Sequence, residues 1–263
     1  MEFLDQMENQ LILPSYPQRI ISLVPSLTEL LFDLGLDNEV IGVTDYCTLP
    51  AEKVTHRTKI GSPKQFNFMI IDNLKPDLLI GNKEENYPSG IARLQEKYPV
   101  WLSDITSLED MLQAIIGIGR ITNCDENADW INQEVCESLN NLPIFKELKS
   151  AYLIWNDPLM VAGGKTFINE MMKKSGFRNI FTEKPRYPVI DLAELARADV
   201  ILLSSEPFPF SQTDVLSFKQ IFIQAKVEIV DAMMFSWYGS HILQSAKYFL
   251  KLRDQIDNQT TNL

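Results

Sequence analysis

Residues 19–43, RIISLVPSLTELLFDLGLDNEVIGV, limit the fold more than any other stretch, because they read as a buried strand, a tight turn, an amphipathic helix and a second strand. The apolar run 20–24, broken by one Ser, suits a parallel strand covered on both faces. Pro25 stops it. Ser26 then stands three residues before Glu29, the N-cap and N3 spacing of a helix start, and Leu27, Leu30, Leu31 and Leu34 recur at helical intervals up to Gly35. A strand that runs straight into a helix places backbone donors and a polar turn at the carboxyl edge of the sheet, where open α/β folds take ligands.

Earlier still, 3–6 and 10–13 read as two short strands around a turn at 7–9. Beyond the second strand comes the polar loop TDYCTLP, an irregular stretch over 51–65, and helical spacing through Met69, Ile70, Ile71 and Leu74. LKPDLLIG gives a helix end and a buried strand, 91–97 a helix, and PVWLSD a fourth strand of the parallel unit. From 107 to 149 the strand signal vanishes. Leu108, Met111, Leu112, Ile115, Ile116 and Ile118 mark one helix, and Trp130, Ile131, Val135 and Leu139 stripe another, broken at Pro143. A helix of about 15 to 20 residues reaches roughly 22 to 30 Å.

The second half repeats the first. SAYLIW is a strand, VAGGKTFINEMMKKSGFRNIF follows the order of turn, helix and strand in 23–43, LARADVILLSS matches LKPDLLIG, and VEIVDA matches PVWLSD. SHILQSAKYFLKLRDQI closes the chain as a helix, with DNQTTNL expected to fray. The expected architecture is α/β: two Rossmann-like lobes with parallel sheets joined by a long rigid helix, and a ligand cleft between the lobes. The boundaries are an amino-terminal lobe over 1–106, a helical linker over 107–148 and a carboxyl-terminal lobe over 149–263.

Composition removes several function classes. A net charge of −11 without any Lys/Arg cluster argues against nucleic acid. Cys47, Cys124 and Cys136 are odd in number and form no CxxC, so neither a disulfide framework nor a zinc site is written here. No segment approaches the roughly 20 apolar residues of a membrane span. The first residues carry Glu2, Asp5 and Glu8 with no basic region before an apolar run, so the sequence as it stands is expected in the cytoplasm; a chain trimmed of a leader belongs in the periplasm or at the cell surface.

Catalytic motifs are thin. GGKT at 163–166 follows a strand and opens a helix, but the Gly that a phosphate loop requires is Leu159, so the two glycines read as a tight turn. His56 lies in a charged loop, and His241 begins the last helix in a cap-like place. No HExxH, GxSxG or catalytic Cys signature appears. Asp45, Glu84, Asp104, Glu206 and Asp231 lie near strand ends and are all that favours a small-molecule enzyme. Two histidines and scattered carboxylates show no metal-ligand spacing.

Rings and thioethers gather at the strand ends instead. Tyr46 lies in the first lobe; Trp155, Asn156, Met160, Tyr187, Glu206, Phe208, Met233, Phe235, Trp237 and Tyr238 come from the second. Aromatic and Met side chains with a few polar groups suit a large, flat, partly apolar ligand. MMFSWYG is the densest stretch, costly to expose without a partner.

The opening LDQMENQLILPSYPQRIISLVPSLTELLFDLGLDNEVIGVTDYCTLP, with LKPDLLIG, VAGGKTFINEMMKKSGFRNIF and ADVILLSS, resembles the class III periplasmic substrate-binding proteins, also called helical-backbone metal receptors, and is nearest their cobalamin-binding branch. The resemblance implies a binding protein, not an enzyme, with no covalent cofactor and with cobalamin, haem or a ferric siderophore as ligand. Tyr46 and Tyr187 match aromatic contact positions of the cobalamin binder. A contact Trp falls at Pro63, and a contact Asp and Arg fall near Met233 and Trp237, so this chain departs there. The paired Glu residues by which such proteins dock on an ABC permease align with Met69 and Ala193, with Glu194 one residue away. That departure suggests a relative uncoupled from transport; a conventional transporter subunit is the alternative.

Overall fold

Residues 1–258, described by a computed structural model, open with a hairpin of β1 (Glu2–Leu4) and β2 (Gln10–Ile12). Its turn is fixed by Asp5, whose Oδ1 accepts the Met7 and Asn9 N–H groups at 2.8 Å each. Then come β3 (Ile20–Ser22), α1 (Pro25–Asp33) and β4 (Val40–Val43), the strand–helix–strand order expected of 19–43. The helix starts differently from its spacing. Pro25 occupies the first turn, the N-cap is Val24 without a side-chain cap, and Ser26 and Glu29 are buried. Proline is pre-shaped for that first turn and needs no N–H there, which frees Ser26 and Glu29 for tertiary contacts.

The stretch 51–65 is more regular than its composition suggests. It forms α2 (Ala51–Val54), β5 (Thr58–Lys59) and a small hairpin of β6 (Gly61–Ser62) with β7 (Gln65–Phe66). Next are α3 (Phe68–Leu74), capped by the Asn67 side chain, β8 (Leu78–Asn82), α4 (Pro88–Gln95) and β9 (Val100–Ser103). Among the described residues, β5-β4-β3-β8-β9 make one parallel sheet, in which Ile21 pairs with Leu79 and Ile80 with Trp101. Ile20, Ile21, Leu23 and Val24 are wholly buried, as a strand covered on both faces requires.

Two helices follow, α5 (Leu108–Thr122) and α6 (Asp125–Asn140), the latter ending ahead of Pro143. Then come β10 (Leu148–Trp155), β11 (Met160–Val161), α7 (Phe167–Lys174), β12 (Phe177–Asn179), a 3-10 turn at Leu192–Arg197, β13 (Val200–Ser204), α8 (Gln212–Ile221) and β14 (Lys226–Val230). A short α9 (Met233–Ser236) and the long α10 (Ile242–Asn258) complete the fold. Asp257 and Asn258, expected to fray, belong to α10; the rest of that tail lies outside the described residues. The second sheet runs β11-β10-β13-β14 with β12 also beside β10, parallel except for β11.

The chain forms two α/β units. The first comprises Met1–Ile105, Glu109–Val135 and Tyr238–His241; the second comprises Thr106–Leu108, Cys136–Trp237 and the chain from Ile242. The second unit's core gathers Leu153, Phe181, Ile201, Leu203, Phe210 and Phe218. No helix among the described residues is long and apolar enough to cross a membrane.

Candidate functional site

At the carboxyl edge of the first sheet, the loop after β4 is held from within. Thr28 Oγ1 donates to Ser22 Oγ at 2.8 Å, and Cys47 Sγ lies 3.1 Å from both Thr28 Oγ1 and Thr44 Oγ1. Lys59 Nζ donates to the Thr44 and Cys47 carbonyls, while Asp45 N–H bonds to Gly61 O at 2.9 Å. With its neighbours pinned, Tyr46 projects outward and is 65% exposed. Burial pushes the Cys47 thiol up, and its sulfur packs inside the loop between Thr28 and Thr44.

The loop after β8 is organised by the buried Asn82. Its Nδ2 donates to Ser103 Oγ at 2.9 Å, and its Oδ1 accepts the Glu84 and Glu85 N–H groups. Asn86 Oδ1 accepts the Asn82 N–H, and its Nδ2 donates to Leu23 O. Lys83 pairs with Asp104 at 2.6 Å.

This edge also receives residues from far along the chain. Tyr238, assigned to the second lobe by its sequence position, belongs to the first unit and is buried there. Its hydroxyl donates to Glu85 Oε1 at 2.9 Å, and burial followed by the Glu85 charge raises its pKa well above the ordinary tyrosine value. His241 pairs with Glu29 at 2.8 Å inside the same unit. Burial likewise raises the Asp33 carboxyl. None of these partnerships shows in the local spacing of the sequence.

A groove of about 540 Å³ opens beside Tyr46's loop, lined by Asp45, Gln65, Phe68, Met69 and Arg93, with the Arg93 guanidinium 3.9 Å from the Phe68 ring centre.

In the second unit Trp155 ends β10, 38% exposed, with its Nε1 donating to Asp157 O at 3.0 Å. Its ring lies 5.7 Å from Phe208, which packs at 4.8 Å on the buried Phe210. Met160 faces Trp155 across β10 and β11 and is bridged to Val189 on its other side. Gly163 N–H and Val161 N–H bond to the Arg186 and Pro188 carbonyls, which lays the Tyr187 segment along β11. A Cβ on Gly163 or Gly164 would fall 2.0 Å from Lys184 O or 2.1 Å from Thr182 O. The GGKT glycines therefore serve backbone approach, and Thr166 caps α7.

Glu206 follows β13, and Ser204 Oγ donates to its carbonyl at 2.6 Å. The residue is exposed overall, yet desolvation of its carboxyl, then the Asp231 charge, raises its pKa. Asp231 Oδ1 accepts the Met233 N–H at 3.0 Å. Asn156, Met233 and Trp237 are half-buried. MMFSWYG is not an open loop: 233–236 form α9, and Phe235 is wholly buried against Tyr152 and Phe249 at 5.2 and 4.9 Å. Thus Trp155, Met160 and Phe208 gather at one sheet edge, Phe235 sits in the core, and Tyr46 and Tyr238 belong to the other unit. Among the described residues no cluster of three His, Cys, Asp or Glu side chains could hold a metal ion.

Two α/β units, each with a parallel sheet whose carboxyl edge bears solvent-facing rings, define the class of two-unit binding proteins. The chain belongs to the periplasmic binding protein family, whose model it matches over residues 20–226. A Bacillus subtilis ABC transporter substrate-binding lipoprotein of uncharacterised function is 31% identical over 182 residues, which cover 64% of this chain and only 57% of that protein's length. A vitamin B12-binding protein of Pectobacterium carotovorum is 23% identical over 88% of this chain and 86% of its own. The solved periplasmic haem-binding protein of Roseiflexus shares the fold with a TM-score of 0.78 at 20% identity, covering 90% of this chain and 98% of that one.

Proposed function

We propose that this chain is a substrate-binding protein for a bulky metal chelate of the cobalamin, haem or ferric-siderophore type, held without a covalent bond. The observation that carries the reading is the Trp155–Phe208 pair. Two large rings in edge contact, one more than a third exposed at the end of a buried strand, offer an apolar face suited to stacking. Tyr46 offers a second ring on the first unit. Relatives named for vitamin B12 and for haem support a ligand of this size. Neither imidazole is poised for catalysis: His241 is buried against Glu29, and His56 stands exposed between α2 and β5. Mass spectrometry of the protein purified natively, followed by thermal denaturation with the chelate found, tests the reading. At a ligand concentration 100 times Kd the gain in stability is about 2.7 kcal/mol.

Coupling to an ABC permease is the second reading, favoured by the lipoprotein relative. Against it, Met69 is 76% exposed as an apolar side chain and Ala193 is exposed on its 3-10 turn. Glu194 is occupied, paired with Lys184 at 2.7 Å and accepting the Asp191 N–H. We favour a binding protein without the carboxylate docking pair; co-purification with a permease from native membranes would decide for the conventional subunit.

A further inference from the structure

Three of the segments that build the ring-bearing edge of the second unit are one-sided in charge. Residues 150–164, 198–218 and 227–237 contain no Lys or Arg, yet they set Asp157, Glu206 and Asp231 just beyond the ends of β10, β13 and β14. These strands are neighbours: Leu153 pairs with Leu203, and Ser204 with Val230. Ser205 Oγ accepts the Ala232 N–H at 3.0 Å and so ties the Glu206 and Asp231 loops together. Burial, then the Asp231 charge, pushes the Glu206 carboxyl up. Lys184 is taken up by Glu194, and Arg186 lies over Tyr187 at 6.0 Å on the segment beside β11.

We propose that Glu206 and Asp231 make the chelate site selective for ligands whose periphery is neutral or positively charged, and reject chelates that carry peripheral anions. This rests on the chelate-binding reading above. A ligand carboxylate brought to the ends of β13 and β14 adds a third like charge to those of Glu206 and Asp231, where repulsion between close charges is strong. An ammonium or amide N–H meets two acceptors instead, with ring faces that attract cations.

The test uses one chelate core in three charge states: ferrioxamine B with its free ammonium, its N-acetyl form and its N-succinyl form. The same comparison is made with haemin against its dimethyl ester and with cyanocobalamin against its monocarboxylates. The full chain is expected to bind the anionic member of the set it recognises about tenfold or more weakly than the neutral one, with the gap shrinking at high salt. In the Glu206→Gln, Asp231→Asn double variant, which keeps the Met233 N–H acceptor, the gap should fall to about twofold or less. Equal binding of the charge forms by the wild-type chain, or a gap unchanged in the folded double variant, overturns the selectivity and leaves chelate binding standing. Failure of every probe to bind overturns chelate binding itself, and the selectivity with it.

Discussion

His241 Nδ1 lies 2.8 Å from Glu29 Oε2 although 212 residues separate them, and both side chains are buried. The pair ties the segment Tyr238–His241 into the first unit, where Tyr238 makes its own bond to Glu85. Removing one member leaves the other buried without this hydrogen bond, at a cost of about 1–3 kcal/mol. Glu29→Ala and His241→Ala should each lower the urea midpoint strongly, while Glu29→Gln, which retains an acceptor, should lower it less. Unfolding followed by circular dichroism checks the order.

Buried tyrosines set a limit at high pH. Burial, and for Tyr238 the Glu85 charge, holds the Tyr238 and Tyr152 hydroxyls protonated well beyond the ordinary range. A group whose folded pKa is raised contributes stability that is complete below its unfolded value, about 10 for tyrosine, and lost as pH climbs towards the folded one. The midpoint of unfolding should therefore be unaffected by these groups at pH 8–9 and fall above about pH 10. Tyr152→Phe and Tyr238→Phe together should flatten that fall in a series of urea titrations.

Gly163→Ala separates two readings of GGKT. Its Cβ would meet the Lys184 carbonyl at 2.0 Å, so the β11 side must shift, at a cost of about 1–3 kcal/mol. The expected result is a lower thermal midpoint together with weaker chelate binding through Tyr187, read by melting curves and titration of the same sample.

How far the fold was legible depends on range. The buried run 20–24 and the leucine spacing of α1 are local signals, and the strand–helix–strand order follows from them. The repeat of LVPSLTELL in VAGGKTFINEM carried the two-unit architecture for the same reason. Ser26 and Glu29 show where local reading stops. Their spacing imitates a cap, but Pro25 starts the helix and Glu29 turns to a histidine near the other end of the chain. Two-residue strands such as β6 and β7 are too short to leave a period. MMFSWYG looked like exposed rings because the sequence cannot say that Phe235 closes on Tyr152 and Phe249.

The two kinds of ring should part under mutation. Phe235→Ala opens a cavity in a packed core and should cost about 3–5 kcal/mol. Tyr46→Ala removes a mostly exposed ring and should change stability by about 0.5 kcal/mol or less, while Trp155→Ala, which loses the Phe208 edge contact and the bond to Asp157 O, should cost about 1–2 kcal/mol. Trp155→Ala should also weaken chelate binding about tenfold or more. Melting curves with and without ligand give both quantities.

The most direct measurement is a tryptophan-fluorescence and visible-absorbance titration of the full chain with cyanocobalamin, haemin and ferrioxamine B, run beside Trp155→Ala. The account predicts saturable quenching with a shifted chelate spectrum for at least one of the three, weakened about tenfold or more in the variant. No saturable change with any of them, or binding that is indifferent to Trp155, would contradict it.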